Sequence, residues 1–335
     1  MLNIIQTSIN FFKLTVRFHL IVLLLLVITS FIPNFAQAAN RVKTVAITQI
    51  VAHDSLNKVR DGIIFQLKQK YGNRVNIELS NANGSIVTAS QIAAKLVASK
   101  PDLIIAIATP SAQTVLKSAQ NSNIPLLFAS VSDPLEANLV ADLQQPGDAI
   151  SGTRNSSPLE KQLILAKDLI PHLKNLGIIT CMSEANSVSS AKKLKVIAKE
   201  YEVKVQTKSV TNSGDVKLAA ESLAGKVDAF FLLQDNTVAS SLTALIKVAT
   251  NAKKPIISSY AEAVKLGALA GLAYDEYQIG KQTGGMAIRV LEGAKIHDMP
   301  IEDPKVIELV INQKVARKLN INLPTAVIAK ADKLF

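Results

Sequence analysis

The sequence predicts an α/β protein of two doubly wound parallel-sheet lobes joined by a three-crossing hinge. Three observations predict it. From residue 42 onward, short apolar runs alternate with longer segments whose apolar residues recur every three or four positions. The alternation restarts near residue 157, giving two successive runs, each of ordinary domain size. The composition is 48% hydrophobic but only 4% aromatic, with no Trp, so the core is built from Ala, Val, Leu and Ile, which suits helices packed on parallel strands.

In chain order, residues 42–48 read as a buried strand. Residues 56–71 read as a helix with Leu56, Val59, Ile63 and Leu67 on one face. A second strand at 75–79 leads through the polar turn 81–84 to a helix at 90–100, which Pro101 ends. Residues 103–108 form a continuous apolar strand. Thr109-Pro110-Ser111 opens the next helix, with Pro in the first turn, where its missing N–H is harmless. Strands follow at 125–129 and 150–152.

In the second run, Ser157-Pro158-Leu159-Glu160 starts a helix through 163–169. Strands are expected at 175–180, 203–209, 227–233 and 255–258, with helices at 187–201, 214–223 and 237–251. The segment 266–273 precedes a helix at 277–292 ended by Gly293, a late strand at 305–311 and a short helix at 312–319. Right-handed crossovers make both sheets parallel. Crossings are expected at 152–155, 273–275 and 299–305. The expected domains are therefore residues 40–152 plus 274–299 for the N-terminal lobe and 153–273 plus 300–325 for the C-terminal lobe.

Residues 1–38 have the layout of a secretory signal peptide. Lys13 and Arg17 precede the apolar run 20–28, which continues to Ile32, and Ala36-Gln37-Ala38 offers a cleavage site. The run is shorter than the ~20 residues that span a bilayer. The reading places the mature chain in the periplasm, with no Cys at the cleavage point for a lipid anchor. Cys181 is the only cysteine, so no intrachain disulfide forms, and its place after an apolar strand suits a buried thiol. The net charge of +11 comes from scattered lysines without interleaved aromatics, which argues against a nucleic-acid partner. A monomer is expected.

Ligands of open parallel sheets bind beyond the carboxyl ends of the strands. That rule selects loops rich in hydroxyls, amides and carboxylates: 49–54, 108–112 and 130–134 in the first lobe, and 183–187, 234–237 and 259–262 in the second. Thr109 and Ser111 start a helix, where free amides hold an anion; helix capping is the equally weighted alternative. Asp235 faces them as the partner of an ammonium, or else caps its own helix with Asn236 or Thr237. His53 is either a ligand contact or a helix-entry residue. His172 and His297 lie far from these loops, so there is no His/Cys/carboxylate cluster at metal spacing, and no catalytic set, cofactor motif or phosphate-binding loop. These features point away from an enzyme and from any cofactor.

Several of these loops carry a family resemblance. Val45-Ala-Ile-Thr-Gln-Ile-Val-Ala-His53, Ile105-Ala-Ile-Ala-Thr-Pro-Ser-Ala-Gln113 and Val131-Ser-Asp-Pro134 resemble the ABC-transporter substrate-binding family of the tryptophan-binding type. Glu184-Ala-Asn-Ser187, Asp235-Asn-Thr-Val238 and Lys265-Leu-Gly-Ala-Leu-Ala270 extend the match over about residues 42–320. The resemblance implies a type I periplasmic binding protein closing around one small zwitterion, such as tryptophan or a related amino acid, and delivering it to a membrane permease. It places Gln49, Thr109, Ser111, Ala112 and Ser132 on one wall. Glu184, Asn186, Asp235 and Asn236 face them, and Asp275 stands at a hinge crossing. Tyr260 departs from the acidic or Gly-containing turn of the family pattern, and there it would stack on or occlude an aromatic ligand. The alternatives are a sensor module presenting ligand to a signalling partner and an exported α/β enzyme.

Overall fold

The computed structural model describes residues 41–147 and 149–335. The expected leader, 1–38, lies outside the described residues. The first sheet contains β1 (Lys43–Gln49), β2 (Val75–Asn81), β3 (Leu103–Ile107), β4 (Leu126–Val131) and β5 (Ile150–Arg154), in the order β2-β1-β3-β4-β5. This is a doubly wound order, parallel from β1 through β3 and β4 to β5. Its helices are α1 (Asp54–Tyr71), α2 (Ile86–Ser99) and α3 (Thr109–Ala119). β3 shows why the sheet is covered on both faces. Leu103, Ile105 and Ile107 join one buried cluster with Val59 and Ile63 of α1, whereas Ile104 and Ala106 point to the other face, against Leu96 of α2 and Val115 of α3.

The second sheet contains β6 (Asn175–Cys181), β7 (Lys204–Val210), β8 (Ala229–Leu232), β9 (Ile256–Ser258), β10 (Ala270–Tyr274), β11 (Ile307–Ile311) and β12 (Lys333–Leu334). Their order is β12-β11-β10-β9-β8-β6-β7. The helices of this half of the chain are α4 (Leu159–Leu169), α5 (Ala185–Glu200), α6 (Val216–Ala224), α7 (Asn236–Ser240), α8 (Leu242–Asn251), α9 (Ala261–Leu266), α10 (Glu276–Leu291), α11 (Gln313–Lys318) and α12 (Thr325–Ile328). β8 alternates as β3 does, with Phe231 packed toward α4 and α5 and Phe230 and Leu232 toward α6 and α8. Cys181 is fully buried among the latter.

Three expectations need correction. The helix expected at 90–100 starts a turn earlier, at Ile86, because the Ser85 hydroxyl accepts the Thr88 amide and caps it. The helix expected at 237–251 breaks at Ser241 into α7 and α8. Beyond the expected elements, the chain ends in β12, which pairs with β11. The second sheet is also not purely parallel, since β11 runs antiparallel to β10 with Tyr274 opposite Ile307. The chain leaves the sheet at the end of β10, adds α10 to the first sheet and re-enters beside its exit point, so the returning strand must run backwards.

α10 follows the second sheet in sequence but packs on the first. Met286, Ala287 and Leu291 enter the cluster built on α1. The two helices meet backbone to backbone: a Cβ on Gly280 would lie 2.1 Å from the Val59 carbonyl oxygen, and one on Gly62 2.3 Å from that of Tyr277. Only glycine fits at either position. Three chain segments cross between the sheets side by side. Thr153 bridges Glu302 in parallel, the Arg154 amide donates to the Glu302 carbonyl at 3.0 Å, and the Asp275 amide donates to the Val306 carbonyl at 2.9 Å. The fold is thus two mainly parallel α/β lobes on a triple crossing, as the sequence predicts.

Candidate functional site

The site lies where the carboxyl ends of β1, β3 and β4 meet those of β6, β8 and β9. Two strand ends in the first lobe are strained. Ala108, after β3, and Ser130, near the end of β4, both take left-handed φ values, of 71° and 56°. Neither is glycine, and such residues persist only where the surroundings fix them. The bend at Ala108 turns the chain straight into α3, so Thr109 and Ser111 are buried at its first turn.

Leu56, Thr109, Ser130 and Ser132 form one wall of the cavity here, and Asn186, Gln234, Asn236 and Tyr260 form the other. Asn155 and Glu276, from two of the crossings, form its floor. The enclosed volume is about 10 Å³, roughly room for one water, because the lobes are closed on each other. The Ser132 hydroxyl donates to Gln234 Oε1 at 3.0 Å, and His53 Nε2 lies 3.4 Å from Asn236 Oδ1. The His53 ring meets Tyr260 edge-on, with centroids 5.8 Å apart. At the rim, Lys58 pairs with Glu262 and Lys193 with Asp133. A roomier groove of about 590 Å³ lies between the start of α4 and the middle of α5, away from the strand ends; its walls include Lys161, Lys192 and Lys193.

Four buried polar atoms around the cleft have no hydrogen-bond partner: Gln49 Oε1, Ser111 Oγ, Asn155 Oδ1 and Asn186 Oδ1. Each such orphan costs about 1–3 kcal/mol unless something else satisfies it. Their gathering at one place makes the cleft the candidate recognition site.

The residues read from the sequence separate into two groups. Thr109, Ser132, Asn186 and Asn236 line the cavity. Ser111 is buried in the same turn as Thr109. Gln49 stands behind the wall, its amide donating to Val51 O at 3.1 Å and Asn57 Oδ1 at 3.2 Å. Ala112 packs into the core under α3. Asp275 caps α10 by accepting the Gln278 amide at 3.1 Å, and it leaves the cavity to its neighbour Glu276.

Asp235 and Glu184 need a correction of role. Asp235 is fully buried, and its oxygens accept the Cys181 amide at 2.6 Å, the Ser187 hydroxyl at 2.5 Å and the Val238 amide at 2.8 Å. It caps α7, which was the alternative reading, and is not among the cavity walls. Glu184 accepts five donors, from Asn186, from the amide and side chain of Asn236, and from the amide and hydroxyl of Thr237. Burial and the neighbouring Glu184 push the Asp235 carboxyl up to about 7, against the pull of its own donors.

Of the two readings of His53, the structure shows the helix-entry one. Its Nδ1 caps α1 at Leu56 while Nε2 faces Asn236, and burial lowers its pKa so that it is neutral at pH 7. Sequence reading missed Leu56, Asn155 and Glu276 as walls. It named the loops holding Ser130 and Gln234 without choosing those residues, and it singled out Tyr260 only as a residue that would stack on or occlude an aromatic ligand. Asn155 and Glu276 sit on crossings, which the strand-end rule does not survey. The signal available was the pair of helix-start acids, Asp275-Glu276, at an expected crossing.

Polar groups from two lobes converging on a closed cleft over a triple crossing define a protein that captures a solute by closure. The family model for ABC transporter substrate binding protein matches residues 44–335, and the chain belongs to that family. The tyrosine-binding protein of Clostridioides difficile (strain R20291) is 37% identical over 281 residues, covering 83% of this chain and 81% of that protein. A structure of an ABC domain in complex with L-Trp from Streptococcus pneumonia superposes with a TM-score of 0.84 at 32% identity, covering 88% of this chain and 99% of that one. The ligand-free, open structure of a Clostridium difficile substrate-binding protein with adhesive properties gives 0.65 at 34% identity, covering 87% and 99%.

Proposed function

We propose that this chain is the extracytoplasmic capture component of an ABC importer for an aromatic amino acid of the tryptophan or tyrosine kind. The carrying observation is the convergence of polar groups from both lobes on one cleft, with orphaned polar atoms gathered around it and Leu56 and Tyr260 as its apolar faces; these walls part from their present spacing to admit the ring. Relatives whose names specify tyrosine and L-Trp support the choice of solute. The ring packs between Leu56 and Tyr260, and the carboxylate sits at the α3 start, on Thr109 and Ser111. Ser132, Asn186 and Asn236 complete the contacts. Gln49, Glu184 and Asp235 hold those residues in place, while Ala112 and Asp275 set the helices that carry them.

Residues 40–152 with 274–299 move as one body and 153–273 with 300–325 as the other, about the triple crossing. Because the solute touches both bodies only when they are closed, binding shifts the population toward closure and a membrane permease receives the closed form. The chain acts as a monomer in the periplasm, delivered there by the leader at 1–38. A thermal-shift screen of the purified protein against the twenty amino acids, sugars and nucleosides tests the reading. L-tyrosine or L-tryptophan raises the melting temperature, by mass action on the folded state. A shift with sugars alone would refute it.

A further inference from the structure

We propose that Glu276, together with the side-chain oxygen of Asn155, forms the seat for the ligand's ammonium group, and that filling this seat expels a proton from Glu276. The proposal rests on the amino-acid reading of the preceding subsection and names the group that Asp235 was expected to provide.

The seat is built from three chain segments at the cleft floor. Glu276 begins α10 directly after the second crossing, Asn155 lies on the first crossing, and Ser130 stands at the strained end of β4. Asn155 Nδ2 donates to Glu276 Oε1 at 3.1 Å and to Ser130 Oγ at 3.0 Å, and Ser130 Oγ donates to Glu276 Oε2 at 3.3 Å. Those bonds fix the Asn155 amide so that its oxygen has no partner, although Asn155 and Glu276 are each only 3% exposed. An ammonium carries three N–H donors, and Asn155 Oδ1 and the two carboxylate oxygens all have acceptor capacity left. Glu184, by contrast, is filled by five donors, and Asp235 by three, two of them backbone amides.

The charges facing Glu276 favour an incoming cation. Asp275 on its own helix cap and Glu262 on α9 both oppose its ionisation. Burial first, and then the fields of Asp235, Glu184 and Glu276, hold the phenol of Tyr260 neutral. From α1, Lys58 is engaged by Glu262 at the rim, and His53 at the helix cap is neutral. Among the described residues no ion pair includes Glu276. Burial, reinforced by those acids, pushes its carboxyl up to about 8, so at neutral pH it is protonated. When an ammonium docks, the carboxylate form is stabilised and the carboxyl proton passes to solvent. The balance is one neutral acid and one ammonium becoming one ion pair and one free proton.

Calorimetry of the purified protein with L-tyrosine and L-tryptophan, at pH 6 to 8.5 and in buffers of different ionisation enthalpy, tests this. Close to one proton leaves per ligand bound near pH 6.5, and affinity rises about tenfold per pH unit until it levels near pH 8. Glu276→Gln loses the proton release and binds at least tenfold more weakly at pH 8, with its fold checked by circular dichroism. The des-amino analogue 3-(4-hydroxyphenyl)propanoate binds the wild type without proton release, a readout that needs no variant. Aromatic amino acids binding with no proton exchange and a flat pH profile would overturn the seat while leaving the proposed function standing. A pH dependence that survives in Glu276→Gln would assign the proton to Asp235 and also overturn the seat. Proton-releasing binding of only non-aromatic amino acids would keep the seat and refute the aromatic solute. Binding of no amino acid would overturn both.

Discussion

Glu184 and Glu276 are both buried glutamates beside helix starts at the same cleft, and they do opposite jobs. Glu184 receives five hydrogen bonds from its own lobe, including the first amides of α7. Glu276 receives two, from side chains on separate segments, and has no counter-charge among the described residues. A carboxylate filled by backbone amides is part of the framework, because folding has already used its acceptor capacity. One left short of donors at the floor of a cleft has capacity for something that arrives later.

The difference can be broken most directly at Glu184. Glu184→Ala leaves the Asn236 and Thr237 amides buried without an acceptor, which costs about 3–5 kcal/mol and lowers the melting temperature by roughly 5–8 °C in a chain of this size. Differential scanning calorimetry checks it. A variant that kept its melting temperature but lost its solute would move Glu184 into the recognition set.

Glu276→Gln sharpens the other side through pH. Glu276 is raised from its ordinary 4.5 to about 8 in the folded protein, so between those values the folded chain holds a proton that the unfolded chain has lost. Its contribution to stability is complete below about 4.5, declines as pH rises and is gone above about 8, a change of order a few kcal/mol. The ligand-free wild type should therefore lose more melting temperature between pH 5 and 8 than the glutamine variant does. Parallel curves for the two proteins would show that Glu276 does not hold its proton. The smallest effect is expected at Ser132→Ala, which removes the hydrogen bond to Gln234 across the closed cleft. A neutral bond of this kind contributes about 0.5–1.5 kcal/mol, so solute affinity should fall a few-fold with stability unchanged. An unaltered affinity would mean that the contact does not hold the lobes together.

The sequence made the architecture legible because burial on both sheet faces leaves a period that can be read directly, as in residues 103–107 of β3. It failed at β11, whose direction depends on an exit and a return lying side by side, a relation that no local pattern encodes. For the site, the strand-end rule led to loops that do border the cavity, and Thr109, Ser132, Asn186 and Asn236 stand in its wall. Asp235 was the informative error. An Asp before a short helix serves equally as a cap or as a ligand group, and only the positions of the Cys181 amide and the Ser187 hydroxyl decide between them. Glu276 was hidden for the converse reason, since an acid in a first helical turn reads as ordinary helix chemistry.

The glycine contact between α1 and α10 has a consequence for the order in which the molecule is made. Residues 286, 287 and 291 complete the apolar cluster over β1 and β3. During synthesis the first lobe therefore stays open on one face until nearly the whole second lobe has been translated. A nascent chain of residues 1–154, or even 1–270, holds every strand of the first sheet but not the helix that seals it. Such a chain cannot reach its native core early, as an independent N-terminal domain would. It remains loose for most of its time on the ribosome, a condition that suits any chain threaded through a narrow channel before it folds.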